Sequence, residues 1–284
     1  MSSDADSALC TPEAFFLPGV AGRIYAVYFP PNRYKSTGES VLVVPPFAEE
    51  MMRVRRMMSL QARKLSAIGI GTLILDLFGT GDSEGEFCDA RWDIWRSDVG
   101  TAVNWLKSCQ GEKISLLGIR LGALLAMDFV QRTTNIDIDR TVLWNPVANG
   151  EKNLRDFLLL RVLAGMMQKA MPRVSLDILR NQLADGESVE VAGYELSPTL
   201  AGDMNRLQLG LLGTDRLGPI HWIELSAPNE DATQSLGQKI RDDWNNHGIL
   251  TKQYTLSGFP FWAEWNTRVI SELLDVTTQI FAGD

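Results

Sequence analysis

Short apolar runs alternate with longer segments of helical periodicity along most of the chain. Strands are predicted over residues 15–17, 24–29, 41–44, 71–77, 113–117, 140–144, 220–225 and 250–256, and helices over residues 50–68, 91–108, 121–132, 232–247 and 263–280. This alternation predicts an α/β fold, with an eight-stranded, mostly parallel sheet and helices on both faces. Pro30 and Pro31, followed by the polar residues 35–40, mark a turn that separates an initial antiparallel hairpin from the parallel part.

One connection between predicted strands is much longer than the others. It follows the sixth strand and contains an amphipathic helical segment over residues 154–169 and a short strand over residues 189–196. Ligands of open α/β sheets bind at the carboxyl ends of the strands, so an insertion at this edge is expected to form one wall of a pocket. The sequence therefore predicts a core of residues 1–145 and 219–284 with a helical cap of residues 146–218.

The composition narrows the range of partners. A chain of 284 residues that is 45% hydrophobic can bury a sizeable core without a disulfide or a metal. A net charge of −8 argues against a nucleic-acid surface and against attraction to anionic lipid. Cys10, Cys88 and Cys109 have no C-x-x-C spacing and fit free thiols in a reducing compartment.

The chain start and the apolar segments indicate a cellular location. Residues 1–14 lack the basic and apolar regions of a signal peptide, and no segment is long and apolar enough to span a bilayer. We therefore expect a soluble, cytoplasmic protein that uses no cofactor or metal, binds no nucleic acid and does not insert into a membrane.

The most informative motif is the stretch from Gly118 to Gly122, which reads Gly-Ile-Arg-Leu-Gly. A predicted strand leads into it and an apolar helix leaves it, which is the context of the G-x-S-x-G nucleophile elbow. The glycines suit a turn where the backbone of a strand passes close to a helix, with the central residue in a strained conformation. Arg120 stands where the nucleophile is expected.

A second stretch, Gly81-Asp82-Ser83-Glu84-Gly85, matches G-x-S-x-G in its letters. It lies several residues beyond its predicted strand, and the residues after it do not begin a helix. Because a nucleophile elbow requires a strand directly before it and a helix directly after it, Ser83 is not expected to act as a nucleophile.

Several stretches together resemble one group within the α/β-hydrolases, the second hydrolase associated with the exosortase A system. These stretches are residues 44–51 (VPPFAEEM), 55–57 (RRM), 76–83 (DLFGTGDS), 118–124 (GIRLGAL), 189–198 (VEVAGYELSP) and 260–262 (PFW). The resemblance covers most of the chain and implies the α/β-hydrolase fold. It also implies a bacterial hydrolase that accompanies machinery for sorting surface proteins and making exopolysaccharide, with a protein partner from that system.

A working hydrolase of this fold needs a nucleophile at the elbow, an acid after a late strand and a histidine after the last strand. The guanidinium of arginine stays protonated at neutral pH and carries only hydrogen-bond donors. Arg120 therefore cannot be the nucleophile. Residues 257–262, where the histidine is expected, contain none; the chain has only His221 and His247, which we expect to be structural. Glu230 and Asp231 occupy the loop of the triad acid but have no histidine to orient.

Arg120 is suited to binding an anion. At the start of the following helix, its guanidinium would join free backbone N–H groups and the positive end of the helix dipole. The N–H of Leu121, with that of Phe47 or Ala48, takes the place of an oxyanion hole. Arg120 is therefore predicted to hold a carboxylate, a phosphate or a polarised acyl oxygen.

An internal ion pair is the competing interpretation. Glu49 and Glu50 follow the third strand, whose end neighbours the elbow, and either could neutralise Arg120. Anion binding and the ion pair are compatible if one glutamate pairs with Arg120 and the other is free. A glutamate in a capped, poorly hydrated pocket could have a raised pKa and serve as general base toward water. The predicted catalytic residues are thus Glu49, Glu50 and Arg120. Further residues are predicted to line the pocket: Tyr194, Glu195, Phe261 and Trp262.

Three functions follow from these residues. The first is hydrolysis or transfer on an acyl or ester substrate that bears an anionic group. The second is a catalytically inactive hydrolase scaffold that binds a small anionic ligand or a partner protein. The third is a purely structural partner of a sister hydrolase. The resemblance favours the first of these.

Overall fold

A computed structural model describes residues 11–111, 113–133, 136–167, 172–211, 218–226, 236–264 and 268–283. In these residues the strands are β1 Glu13–Pro18, β2 Arg23–Phe29, β3 Glu39–Val44, β4 Gly71–Leu75, β5 Lys113–Ile119, β6 Thr141–Trp144, β7 Val189–Val191, β8 Tyr194–Leu196, β9 Ile220–Ser226 and β10 Thr251–Ser257. The helices are α1 Glu49–Ala67, α2 Trp92–Gln110, α3 Leu121–Arg132, α4 Gly150–Met167, α5 Leu176–Ala184, α6 Pro198–Arg206, α7 Leu236–Asn246 and α8 Ser271–Ala282.

Eight of these strands form one sheet in the order β1-β2-β4-β3-β5-β6-β9-β10. β2 pairs antiparallel with β1 and β4, and the other neighbours are parallel. The carboxyl ends of β3 and β5 therefore lie side by side at one edge. The predicted fold class is confirmed, including the antiparallel hairpin at the start of the chain.

Apolar burial explains why the central strands form this sheet. Every residue of β4 and β6 is buried, as expected for strands covered on both faces. Side chains of α2 and α3 pack into one core cluster, and those of α1 and α8 into a second. The sheet is thus the middle of three layers.

The segment between β6 and β9 adds α4, α5, α6 and the hairpin β7–β8. α4 packs against both α5 and α6, and α6 reaches α2 of the core. Apolar residues of this segment, among them Leu158 and Leu200, belong to the same buried cluster as α2 and α3. The division into a core and a cap stays a prediction.

Several element boundaries differ from the sequence prediction, and three of these differences lie in the later helix, the short strand of the insertion and β4. The helix expected from residue 263 begins at Ser271, because residues 258–264 form tight turns closed by Phe261 N–H to Phe259 O and Ala263 N–H to Pro260 O. The strand expected over residues 189–196 is two strands, because Ala192 and Gly193 adopt φ values of 52° and 86° and reverse the chain. β4 ends at Leu75 rather than at residue 77.

Two helices, α5 and α6, were not predicted. Each begins at a serine whose Oγ accepts a backbone N–H: Ser175 from Ile178 and Ser197 from Leu200. These N-caps are readable in the sequence, but both helices are only 9 residues long, and so short a stretch shows little periodicity. Among the described residues, no helix has the length and apolar character needed to cross a membrane.

Candidate functional site

The turn between β5 and α3 has the strained geometry of a nucleophile elbow. Arg120 lies at its centre with φ 54° and ψ −120°, a conformation that non-glycine residues rarely adopt. A Cβ on Gly118 would lie 2.5 Å from the Cα of Ala123, and a Cβ on Gly122 would lie 2.2 Å from the carbonyl oxygen of Pro45. Both glycines are therefore required by close backbone approach, as the motif predicts.

Three groups hold the Arg120 side chain. Its Nε donates to Glu50 Oε1 at 3.2 Å, and its Nη1 donates to the carbonyl oxygen of Asn145 at 3.1 Å. The indole ring of Trp262 lies against the guanidinium, with the ring centroid 4.6 Å from Cζ. The side chain of Arg120 is 22% exposed to solvent. Of the two glutamates that could pair with Arg120, Glu50 is the one within ion-pair distance.

Glu50 is an unusually placed carboxyl group. Its side chain is 15% exposed, and its Oε2 is buried and accepts no hydrogen bond from the described residues. Burial raises the pKa of Glu50 to about 7, even though Arg120 opposes that shift and neighbouring Glu49 adds to it. At neutral pH, Glu50 is therefore divided between its protonated and ionised forms.

Glu49 lies beside Glu50 in a similar environment. Burial also raises the pKa of Glu49, against the attraction of Arg53 and Arg120. Its Oε1 is 3.8 Å from Arg53 Nη1, and its Oε2 is buried without a hydrogen-bond partner among the described residues. Arg53 in turn donates to the carbonyl oxygen of Trp262 at 3.2 Å. Two carboxyl groups and two guanidinium groups thus alternate at this edge of the sheet.

A cavity of about 230 Å³ opens beside these charged groups. The core contributes the loop after β3, the start of α1, the turn after β5 and the loop after β10, and α4 forms the opposite wall. Its lining residues are Phe47, Glu49, Glu50, Arg53, Arg120, Asn153, Asp156, Phe157, Leu160, Trp262 and Ala263. The cavity lies where the fold places ligands, at the carboxyl ends of parallel strands.

The predicted oxyanion-hole residues meet at a second, much smaller cavity. Phe47, Ala48 and Leu121 are all buried, and they line a space of about 10 Å³, which holds roughly one water. The N–H of Leu121 lies in the first turn of α3, where helices leave N–H groups without intrahelical acceptors. Because Phe47 lines both cavities, the two spaces are adjacent.

The other predicted pocket residues are distributed differently. Trp262 lines the cavity, but Phe261 is 2% exposed and packs edge-on against Trp144 inside the core. Tyr194 packs its ring against Phe87. Burial raises the pKa of Tyr194 and the charge of Glu49 adds to the shift, so Tyr194 lies near the charged groups without lining the cavity. Glu195 is exposed in the β7–β8 hairpin. Substrate binding by these three residues stays a prediction.

Both histidines lie away from the end of β10. His221 is buried within β9, with Nδ1 3.1 Å from the hydroxyl of Tyr254, and burial lowers its pKa to about 4. His247 is exposed just beyond α7, next to Asp243. Trp262, in the loop after β10, is the side chain that reaches Arg120 instead. Glu230 and Asp231 lie outside the described residues.

Ser83 has a structural role in the loop after β4. Its Oγ donates to the carbonyl oxygen of Asp76 at 2.6 Å and accepts the N–H of Tyr25 at 2.8 Å. The hydroxyl is thus occupied on both sides by backbone groups.

Sequence reasoning missed Asn145 and Asp156. Asn145 directly follows β6 with φ 42°, its carbonyl oxygen binds Arg120, and its Oδ1 accepts the N–H of Leu225. Its position after a strand and the tolerance of asparagine for positive φ were available signals. Asp156 lies on α4, and only the packing of α4 over the sheet brings it to the cavity.

The sheet order, the elbow between β5 and α3 and the cavity at the strand ends define an α/β-hydrolase fold. Residues 36–212 match the family model described as Serine aminopeptidase, S33. The chain belongs to this family of α/β-hydrolases. A search of curated proteins finds no match.

Solved structures agree on the fold. The ferulic acid complex of Est1E from Butyrivibrio proteoclasticus superposes with a TM-score of 0.68 at 14% identity, over 95% of this chain and 98% of that one. XC6422 from Xanthomonas campestris, a serine hydrolase described as lacking a lid, superposes with a TM-score of 0.56 at 13% identity, over 94% of this chain and 92% of that one. For an α/β serine hydrolase homologue from Coxiella burnetii, the TM-score is 0.53 at 12% identity, over 96% of this chain and 99% of that one.

Proposed function

We propose that this protein hydrolyses an acyl or ester substrate that bears an anionic group, using a water molecule activated by Glu50 rather than a Ser-His-Asp triad. The observation that carries this proposal is the Glu50 carboxyl group, which lines the cavity, contacts Arg120 and has a pKa of about 7. A general base works best when its pKa lies near the working pH.

The reaction needs no covalent intermediate. Ionised Glu50 takes a proton from water as the water oxygen attacks the acyl carbon. The negative charge that forms on the carbonyl oxygen faces the N–H groups of Leu121 and of Phe47 or Ala48, while Arg120 holds the anionic group of the substrate. The tetrahedral intermediate then collapses, and protonated Glu50 returns its proton to the leaving oxygen. Glu49 acts on Glu50 through its charge, which helps to raise the pKa of Glu50.

A second candidate is a catalytically inactive protein that binds a small anionic ligand or a protein partner. The observation that favours an inactive protein is the position of Arg120, which cannot act as a nucleophile and is held at the centre of the elbow by Glu50 and Asn145. The ion pair with Glu50 counts against binding of an anion at Arg120, because an anion would compete with it. The two candidates differ in whether turnover occurs.

The proposal extends to the cellular setting. Segments that resemble the exosortase-associated hydrolase lie around the cavity: residues 44–51 supply Glu49 and Glu50, residues 118–124 supply Arg120, and residues 260–262 supply Trp262. We propose on this basis a cytoplasmic bacterial protein that serves an exosortase and exopolysaccharide system, with a protein partner from it. Copurification from a host that contains such a system tests the partner.

Arg120→Ala tests the role of the guanidinium. Nitrophenyl monoesters of dicarboxylic acids serve as anionic substrates, and the matching uncharged esters serve as controls. We expect wild type to prefer the charged esters and Arg120→Ala to lose at least about tenfold in kcat/KM for them, because a charged hydrogen bond contributes about 1.5–3 kcal/mol. Absence of turnover in wild type, with ligand binding that depends on Arg120, would establish the second candidate.

Restoring serine at the elbow is expected not to create a triad hydrolase. In Arg120→Ser the hydroxyl would have no histidine to take its proton, since neither His221 nor His247 lies after β10. We expect no labelling by a serine-directed covalent probe and no gain in ester hydrolysis over wild type. Labelling at position 120, followed by acyl-enzyme accumulation, would contradict this expectation.

A further inference from the structure

A second cavity lies in the segment between β6 and β9, between helices α4, α5 and α6. Its volume is about 370 Å³. The lining residues are Glu151, Leu154, Arg155, Arg180, Leu183, Ala184, Pro198, Ala201, Gly202 and Asn205. We call this cavity the three-helix groove.

The two arginines of the groove are not neutralised by the described residues. Arg155 on α4 and Arg180 on α5 are exposed, and neither forms an ion pair within the part of the chain that the structure describes. Most other described arginines that line a cavity, such as Arg120, have a carboxylate partner. Among the described lining residues, Glu151 is the only acidic one against two arginines. The net charge of the groove is therefore positive and favours an anion.

The floor of the groove is apolar. Leu154 and Ala201 are 4% and 2% exposed, and Leu183, Ala184 and Pro198 add further apolar surface. An apolar floor beside two cationic side chains fits a molecule with an apolar body and one acidic head group.

Gly202 lies inside α6 without a packing reason for being glycine. A Cβ at this position would find only Arg206 Nη1 within 4 Å, at 3.9 Å. Gly150, in the same segment, would instead place its Cβ 2.2 Å from the carbonyl oxygen of Met204. A glycine in a helix interior destabilises the helix relative to alanine, so Gly202 costs stability and leaves space in the groove.

The groove and the Arg120 cavity use different faces of α4. Asn153, Asp156 and Phe157 face the Arg120 cavity, whereas Glu151, Leu154 and Arg155 face the groove. Each set has the spacing of one helix face. The two cavities share no lining residue, so their ligands can be separated by mutation.

From this arrangement we propose that the three-helix groove is a second binding site, which takes a small amphipathic anion with a short acyl chain and a carboxylate or phosphate head group. The head group pairs with Arg155 and Arg180, and the chain lies over Leu154 and Ala201. The proposal does not depend on the reaction at the Arg120 cavity.

Titration with octanoate and with octyl phosphate tests the proposal and distinguishes the two head groups. Binding to the full chain is followed by calorimetry, with octylamine as the cationic control. We expect both anions to bind and octylamine not to bind. Arg155→Ala and Arg180→Ala should each weaken binding about tenfold or more, because each removes a charged hydrogen-bond donor. Arg33→Ala, at an exposed arginine outside both cavities, should leave the affinity unchanged.

Variants at Gly202 and Arg120 locate the bound anion. Gly202→Leu should fill the groove and abolish binding while the protein stays folded, whereas Gly202→Ala should raise the melting temperature and retain most of the affinity. Arg120→Ala should leave unchanged the octanoate binding that Gly202→Leu removes, since an anion at the Arg120 cavity would occupy a separate site. The proposal is overturned if wild type binds neither anion, if Gly202→Leu binds normally, or if Arg120→Ala alone abolishes binding.

Discussion

Replacing Glu50 with glutamine is expected to lower ester hydrolysis by about two to four orders of magnitude, the usual contribution of a general base. Glutamine keeps the shape of the side chain and can still accept the hydrogen bond from Arg120, but it cannot take a proton from water. Initial rates with the charged monoesters measure the loss. If Glu50→Gln retains the wild-type kcat, water activation by Glu50 is excluded.

The pH dependence of wild type and Glu50→Gln provides an independent readout. Because ionised Glu50 is the active form and its pKa is about 7, wild-type kcat/KM should rise as the pH increases through about 7. The residual activity of Glu50→Gln should lack this step. A wild-type profile that is flat between pH 5 and 8 would contradict the assignment.

The same substitution should stabilise the protein at high pH. Burial disfavours ionised Glu50, so its raised pKa reduces the free energy of unfolding of wild type as the pH rises from about 4.5 to about 7. From a shift of this size, Glu50→Gln should be more stable than wild type by up to about 3 kcal/mol above pH 7, and the gain should disappear below about pH 4.5. Denaturant unfolding at both pH values measures it.

Glu39→Gln is the matched control. Glu39 begins β3, at the opposite end from Glu50, and burial raises its pKa as well. Its Oε1 accepts a hydrogen bond from Ser115, far along the strand from the cavity. Glu39→Gln should change stability in the same direction without changing activity, which separates buried charge from catalysis.

Replacing Gly122 with valine is expected to prevent stable folding. A Cβ at this position would lie 2.2 Å from the carbonyl oxygen of Pro45 and 2.4 Å from that of Val44. Both atoms belong to the backbone at the end of β3, so no side-chain rotation relieves the overlap. We expect a loss of more than about 4 kcal/mol, a large fraction of the stability of a typical domain.

Soluble yield and thermal unfolding of Gly122→Val measure this effect, with Gly202→Val as control. Both glycines lie in helices, but a Cβ at Gly202 meets only Arg206 Nη1, at 3.9 Å. The control should therefore fold with a melting temperature near that of wild type. A well-folded Gly122→Val would show that β3 and α3 are less tightly packed than these distances indicate.

The part of the fold that the sequence predicted is the part that local patterns specify. β3, β4 and β6 are buried apolar runs, and α3 spans the predicted residues 121–132, because a glycine turn starts it and its apolar character is continuous. The late start of α8 was missed because residues 258–264 are held in turns by backbone hydrogen bonds, which the residue types do not indicate.

For the candidate site, too, the sequence predicted some contacts and missed others. The order of parallel strands places the ends of β3 and β5 together, so the contact of Arg120 with a glutamate followed from topology. Asn145 was missed because it binds Arg120 through its backbone carbonyl oxygen, and every residue type has such an oxygen. Asp156 depends on the docking of α4, whose orientation comes from contacts far apart in the chain.

The sequence by itself determined the elbow: Gly118 and Gly122 allow a turn that Arg120 must occupy in a strained conformation, since these are consequences of local backbone sterics. Only the tertiary structure decided which glutamate Arg120 pairs with, that Trp262 packs on its guanidinium, and that Glu50 has a pKa near 7. Burial and charge proximity are properties of the assembled core, because they sum over groups that no local pattern brings together.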